Sequence, residues 1–513
     1  MVDLDPSGAP VLVGEQVLLS TPGLLGQAVV SSLLPSRGTV STPSGRGEED
    51  WASASFRQAL QDSGFEEQLT VVVSDHVELV AAGGLRTAAG PGDLVLQVPG
   101  PGTGLAQVLL YTAEDGSQTW HLPQDHDPDE AAGQGGTPAT RGGRPAVYRI
   151  PRMVCAPPSA DVDTSRGLVV ALGRKVLTVL VFRLVEHGAR LVAERVVERW
   201  EAEHRPYRLR TYTPGDRSGE GRELADADWR SLAAGRALLL VHGTFSSTRS
   251  GFGHLPPEMV EALHQRYQGR VLAFDHPTLA PDPAANARRF AQLLPDGVRL
   301  DLDVLAHSRG GLVAREISER PDDAQLAGQV RMHRLVRVGT PNAGTVLAGA
   351  AGWRTWIDRV TNLLQWLPDD PVSGTMDAVL TLLKHMALGA GDGVQGLTAM
   401  DPAGDYLCER LNRGSDPTGP GTRYFAVASD YRPAPGSPLW RVTRDALTDL
   451  AFGRAGNDLV VPTAGVFSVP GCWRFPVPEP LVFSGPDAVE HTRYWGHRQC
   501  SQQILDWLDD HRQ

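Results

Sequence analysis

The chain has 513 residues, 41% of them hydrophobic, enough to bury more than one core, so a large domain and at least one smaller one are expected. A formal net charge of -12 and an isoelectric point near 5.7 argue against a phosphate-backbone binder, which depends on clustered Lys and Arg, and no nucleic-acid partner is expected. The opening Met-Val-Asp-Leu-Asp-Pro has neither a basic nor an apolar signal region, so a cytoplasmic protein is expected.

Residues 1–123 read as a β-rich module. Short apolar runs from Leu69 to Val73, Asp93 to Val98 and Ala106 to Tyr111 alternate with Gly, Pro and Ser clusters. Glu114-Asp115-Gly116-Ser117 reads as a hairpin turn into Thr119 to Leu122, and one helix is expected from about Trp51 to Asp62. Residues 124–145 are polar and rich in Gly, Asp and Pro, the composition of a loop or linker. His121 and His126 stand near Asp125 and Asp127 there, but no second ligand cluster backs them, and no metal is expected. Residues 146–228 read as a continuation of the β-rich module. A strand is expected from Val147 to Ile150, then a hairpin of Leu168 to Leu172 and Val176 to Leu184, then strand-like sequence from Arg190 to Trp200. Arg174, Lys175 and Arg183 interrupt the most apolar stretch, Gly167 to Val185, so it does not read as a membrane span. Arg205 to Asp228 is polar and reads as a domain boundary. Cys155, Cys408, Cys472 and Cys500 lack metal or redox spacing and read as free thiols.

Residues 229–513 change to strand–helix alternation, the α/β pattern of a mostly parallel sheet covered on both faces. Strands are expected at Ala237 to Val241, Val271 to Phe274, Leu302 to Leu305, Leu335 to Val338, Tyr424 to Ala428 and Leu481 to Phe483. Helices are expected at Pro257 to Tyr267 and Ala284 to Leu294.

The third of those strands runs into Ala306-His307-Ser308-Arg309-Gly310-Gly311 and then a helix. A serine on such a turn projects its hydroxyl from the sheet edge, and small residues at 306 and 310 let neighbouring backbone approach. The bland alternative is Ser308 as an ordinary helix N-cap. A serine nucleophile needs a base, a carboxylate to orient the base, and N–H donors for the developing oxyanion. Backbone N–H groups of Thr244 or Phe245, with that of Arg309, are the expected donors, since His242-Gly243 ends a buried strand beside them. His242 itself is expected to be structural. Asp458, between a glycine turn and an apolar run, is the expected acid, with Asp430 at a strand end as the alternate. His491, after the last strand, is the expected base, with His497 as the alternate.

The motifs taken together resemble the α/β-hydrolase superfamily, and more narrowly its lipase- and PGAP1-like esterase branch. The pieces are His-Gly-Thr-Phe-Ser-Ser at 242–247, Phe-Asp-His-Pro-Thr at 274–278, Ala-His-Ser-Arg-Gly-Gly at 306–311, Gly-Thr-Pro-Asn-Ala-Gly-Thr at 339–345, Gly-Asn-Asp-Leu-Val-Val-Pro at 456–462 and Glu-His-Thr-Arg-Tyr-Trp at 490–495. The resemblance covers about residues 231–513. It implies an α/β-hydrolase fold, a triad of Ser308, Asp458 and His491, and hydrolysis of carboxylic esters, often lipid esters, with no metal or organic cofactor. Ala306 departs from the usual glycine at that position.

An insertion at about 349–400 carries Trp353, Trp356, Val360, Leu363, Leu364 and Trp366 at helical spacing, then a second amphipathic helix from Met376 to Leu388. It is expected either to roof the site as a lid, where an apolar substrate or a membrane surface would meet the tryptophans, or to pack permanently on the core. Two other readings of the chain stand beside the esterase: a catalytically inactive hydrolase fold used for binding or sensing, and acyl transfer by the same residues to an acceptor other than water. The task of residues 1–230 and any protein partner are unassigned by the sequence.

Overall fold

The computed structural model describes residues 1–31, 59–78, 93–102, 104–114, 117–124, 145–151, 174–183, 189–216, 221–349, 352–365, 379–384, 394–413, 421–433, 452, 455–472 and 474–509. Chain contacts divide it into two units. The first is Met1–His187 with two short later segments, and the second is the rest, from Gly188 onward.

The first unit is built from two antiparallel sheets. One has six strands, including Phe65–Glu78, Leu105–Thr112, Gln118–His121 and Lys175–Arg183. The other has four, including Leu94–Val98 and Ala146–Ile150. Alternate residues of each strand turn inward, as period-2 patterning requires. Val71, Val73 and Leu177 of the larger sheet thus share one core with Leu94, Leu96 and Tyr148 of the smaller. The strands on either side of the expected hairpin turn pair antiparallel, with Thr112 opposite Gln118; residues 115–116 of the turn lie outside the described residues. Residues 59–62 are helical, the end of the helix expected from Trp51. The rest of that helix, the linker beyond Gln124, the strand at 168–172 and Cys155 lie outside the described residues.

The strand expected at Arg190 to Trp200 is instead helix α1, Ala189–His204. Its Leu191-Val192 and Val196-Val197 pairs suggested a strand, but Ala, Glu and Arg fill most other positions, and these are strong helix formers. Val197 and Glu201, one turn apart, are both buried, while Arg199 and Glu203 pair at i,i+4 on the exposed side. The boundary expected at Arg205 to Asp228 is also interrupted by regular structure. Arg208–Thr211 forms β1, an edge strand of the large sheet.

That sheet has seven strands: β1, β2 (Ala237–Val241), β3 (Val271–Asp275), β4 (Leu300–His307), β5 (Val330–Val338), β6 (Arg423–Asp430) and β7 (Leu481–Ser484). Their spatial order is β1-β3-β2-β4-β5-β6-β7. Only β1 is antiparallel to its neighbour; the other pairs are parallel. β2 and β3 are buried along their whole length, the signature of a sheet covered on both faces. On one face Leu238, Leu240 and Leu305 pack against helices α2 (Pro257–Arg266) and α5 (Arg498–Trp507) through Val260, Leu263 and Ile504. Phe274 points to the other face and meets Phe290 of α3 (Pro283–Gln292) at 5.3 Å. Register brings Val241 level with Ala306 and His307 level with Val338, so the segments after β2, β4 and β5 leave the sheet at one edge. In open α/β sheets this carboxyl edge is where side chains from distant parts of the sequence converge.

Candidate active site

β4 ends at His307, and helix α4 (Gly310–Glu319) starts two residues after Ser308. Ser308 has φ 53°, a left-handed conformation that costs a β-carbon-bearing residue about 1–3 kcal/mol. The turn holds because the Ser308 N–H donates to Val338 O at 2.8 Å and the Gly311 N–H donates to Ser308 O at 3.0 Å. The tight crossing explains the glycines around it. A β-carbon at Gly310 would sit 2.3 Å from Val241 O, and one at Gly243 would sit 2.6 Å from the Ser308 Cβ. Ala306, at the strand end, is fully buried without such a conflict, so the extra methyl is accommodated. Ser308 is not the cap of α4. The N-cap is Arg309, with no side-chain cap bond, and the serine hydroxyl is engaged elsewhere.

Its partner is His491, whose Nε2 lies 2.9 Å from Ser308 Oγ, while Nδ1 lies 2.7 Å from Asp458 Oδ2. All three residues are buried. An ionised Asp458 can only accept, so Nδ1 carries the proton, Nε2 is the acceptor, and the Ser308 hydroxyl donates to it. The His491 backbone is fixed from both sides. Its N–H donates to Asp458 O at 3.0 Å, and its carbonyl accepts from His307 Nε2 at 3.0 Å. Burial pushes the His307 pKa down to about 3, so that ring is a neutral support. Gly339, at φ 59°, passes close by; a β-carbon there would lie 3.1 Å from His491 Cε1 and 3.2 Å from Asp458 Oδ2.

Asp458 is saturated with donors. Oδ1 accepts the N–H groups of Val460 and Val461 at 3.1 and 2.8 Å, and Oδ2 accepts from His491 and from the Tyr494 hydroxyl at 2.7 Å. Burial raises the pKa of this carboxyl, but the His491 charge and these hydrogen bonds outweigh it, and the result lies below the ordinary carboxylate value. Tyr494 is fully buried and was not singled out from the sequence, although it lies in one of the motifs. Its hydroxyl withdraws charge from the oxygen that faces the imidazole. Tyr494→Phe is therefore expected to strengthen the carboxylate's hold on an imidazolium. The acidic limb of any kcat/KM profile should move to higher pH by up to about one unit, with a loss of about tenfold or less at neutral pH. A pH–rate series on the two proteins checks this.

The two alternates lie apart from this line of bonds. Asp430 Oδ1 is 3.4 Å from Arg432 Nε and its carboxyl packs against Gly456. The His497 ring packs tilted against Phe483, centroids 4.2 Å apart, and His497 is the N-cap of α5.

Of the three expected oxyanion donors, two are available. Thr244 N–H and Arg309 N–H have no partner among the described residues. The Phe245 N–H already donates to Thr278 Oγ1 at 3.2 Å, and Phe245 is left-handed at φ 57°. His242 supports this turn. Its Nδ1 donates to Gly243 O at 3.0 Å and its Nε2 accepts the His276 N–H at 3.2 Å. Burial pushes its pKa down to about 4, which keeps it neutral. In the insertion, helix α6 is Trp353–Gln365. Its Trp356 meets Phe245 edge-on at 5.8 Å and is buried. Residues 379–384 of the second expected helix are helical; the rest of it, and Trp366, lie outside the described residues. Among the described residues no cluster of His, Cys, Asp or Glu could hold a metal ion, and no helix is long and apolar enough to cross a membrane.

A sheet of this order and polarity, with a left-handed serine after its central strand, an aspartate after the next-to-last and a histidine after the last, defines an α/β-hydrolase fold. The chain belongs to the family described as a domain of unknown function, DUF7379, which matches residues 204–509. No curated protein matches it by sequence. Among solved structures it is similar to the lipase BlEst2 of Bacillus licheniformis in its propeptide form, at 17% identity and a TM-score of 0.31, covering 58% of this chain and 53% of that one. The chain thus spans about half the length of that lipase. It is similar to EstA from Clostridium botulinum at 13% identity and a TM-score of 0.36, covering 53% and 86%. A hydrolase from Oleispira antarctica matches at 10% identity and a TM-score of 0.32, covering 62% and 97%.

Proposed function

We propose that the chain is a serine hydrolase that cleaves carboxylic esters through an acyl-enzyme on Ser308. The observation that carries this reading is the continuous bonding from Ser308 Oγ through His491 to Asp458, with the serine held in a strained turn. Such strain is kept where the surrounding structure over-determines it, commonly at reactive residues. As Ser308 Oγ attacks the ester carbonyl, its proton passes to His491 Nε2. Asp458 holds the ring in the accepting tautomer and stabilises the imidazolium. The carbonyl oxygen, now negative, meets the N–H groups of Thr244 and Arg309. His491 then returns the proton to the departing alkoxide, and a water activated by the same nitrogen releases the acid.

Phe245, Trp356 and Met400 place buried apolar side chains beside the Thr244 turn, with Trp356 edge-on to Phe245 and Met400 Sδ 3.9 Å from the Thr244 hydroxyl. This favours an acyl or lipid-like ester, in keeping with the lipase-like resemblance, and gives α6 the role of a roof over the acyl chain. The test is a chain-length series of p-nitrophenyl esters with fluorophosphonate labelling. Turnover and labelling by the wild type support the reading; neither turnover nor labelling abandons it.

A further inference from the structure

Glu201 lies on α1, outside every motif that pointed to the active site, and is 1% exposed. Its carboxylate accepts three successive backbone N–H groups: Thr278 at 2.6 Å and Leu279 at 2.9 Å on Oε1, and Ala280 at 2.8 Å on Oε2. Burying a carboxylate is costly, and burial raises its pKa against the pull of these bonds and of Arg309. What it holds is the segment 277–281, which joins both oxyanion donors. Thr278 Oγ1 accepts the N–H of Phe245 and so fixes the left-handed turn beside Thr244. Arg309, whose N–H is the second donor, is anchored by its side chain to the same segment. Its guanidinium donates to Pro281 O, and its Nε donates at 2.9 Å to Gly396 O. The Gly396 N–H in turn donates to Leu279 O at 2.8 Å. Asn286 Nδ2 closes the other end on Pro277 O at 3.0 Å.

We propose that Glu201 is a positioning residue of the oxyanion hole, acting through the 277–281 segment and the Thr278 hydroxyl on the Thr244–Phe245 turn and on Arg309. The proposal rests on the esterase reading above. It assigns work to the Phe-Asp-His-Pro-Thr stretch, which the Ser308–His491–Asp458 line leaves without a role. Donors to an oxyanion act through their placement, and a displacement of about 1 Å is enough to cost a hundredfold in rate. A glutamine at 201 keeps the shape but turns an NH2 group toward at least one of the three N–H groups, so the segment must shift.

The test uses the full chain as wild type, Glu201→Gln, Thr278→Val and the double variant. Three quantities are read: kcat and KM on a p-nitrophenyl ester, the inhibition constant of a trifluoromethyl ketone that forms an oxyanion on the serine, and the thermal midpoint. Glu201→Gln is expected to lower kcat roughly 10- to 100-fold with KM within about threefold, and to weaken the ketone by a similar factor. Thr278→Val is expected to act in the same direction, and the double variant to lose less than the product of the single losses. A folded Glu201→Gln with kcat within about twofold of wild type overturns the proposal, as do losses that simply multiply in the double variant. If Glu201→Gln does not fold, Thr278→Val decides: unchanged kcat and ketone affinity overturn the proposal. A wild type with neither turnover nor fluorophosphonate labelling removes the esterase reading and this proposal together, whereas an active wild type with indifferent variants removes this proposal alone.

Discussion

Ser308→Ala is expected to lower ester turnover by roughly four to six orders of magnitude and to abolish fluorophosphonate labelling. The size follows from the chemistry: without Oγ there is no acyl-enzyme, and what remains is substrate binding beside the N–H groups of Thr244 and Arg309. The fold should survive. The turn at 308 is held by main-chain bonds to Val338 and Gly311, which alanine keeps. The hydroxyl makes no cap bond to α4, so no helix end is lost. A thermal midpoint close to that of the wild type, measured beside kcat/KM, separates loss of the nucleophile from loss of structure. A variant that still hydrolyses esters at a tenth of the wild-type rate would move the nucleophile elsewhere.

Asp458→Asn is expected to cost about three to four orders of magnitude, for a reason specific to its four bonds. The Val460 and Val461 N–H groups need an acceptor, so the asparagine oxygen turns toward them and its NH2 turns toward His491. Nδ1 must then accept, which moves the ring proton to Nε2. A protonated Nε2 cannot take the proton from Ser308. The Tyr494 hydroxyl also loses its acceptor. The loss should appear mainly in kcat, and slow labelling by a fluorophosphonate should persist because Ser308 is intact. A pH–rate profile and a labelling time course check both parts.

The candidate site was legible in the sequence because its pieces are short, local and ordered. Buried strands ending in His242-Gly243 and in Ala306-His307-Ser308 announce their own geometry, and a lone carboxylate and a histidine follow later strands in chain order. The choice between His491 and His497, six positions apart, needed three dimensions. One is held over the serine by His307 and Asp458, and the other turns to Phe483. Glu201 left no local trace, and Thr278 and Tyr494 stood inside motifs with no role of their own, since a buried acceptor or hydroxyl matters only through what the fold brings to it. Helix α1 was misread because paired valines fit a two-residue period as well as a helical one over a short window. The edge strand β1 was missed because its Arg-Leu-Arg-Thr sequence is polar enough to pass for a boundary; its buried Arg210 is neutralised by Asp275 at 2.6 Å.

The Ser308 amide is spent on Val338 O, so in the proposed reaction the serine contributes no N–H of its own to the developing oxyanion. The two proposed donors, Thr244 and Arg309, are held by the Phe245–Thr278 bond and by the Arg309 side chain's bonds to Pro281 O and Gly396 O. A flat carbonyl presented to such an array can seat with only one of its two prochiral faces toward the serine. Mirror-image alcohols then project their substituents into different surroundings, so a racemic ester offered to this protein would be consumed unevenly, one enantiomer ahead of the other.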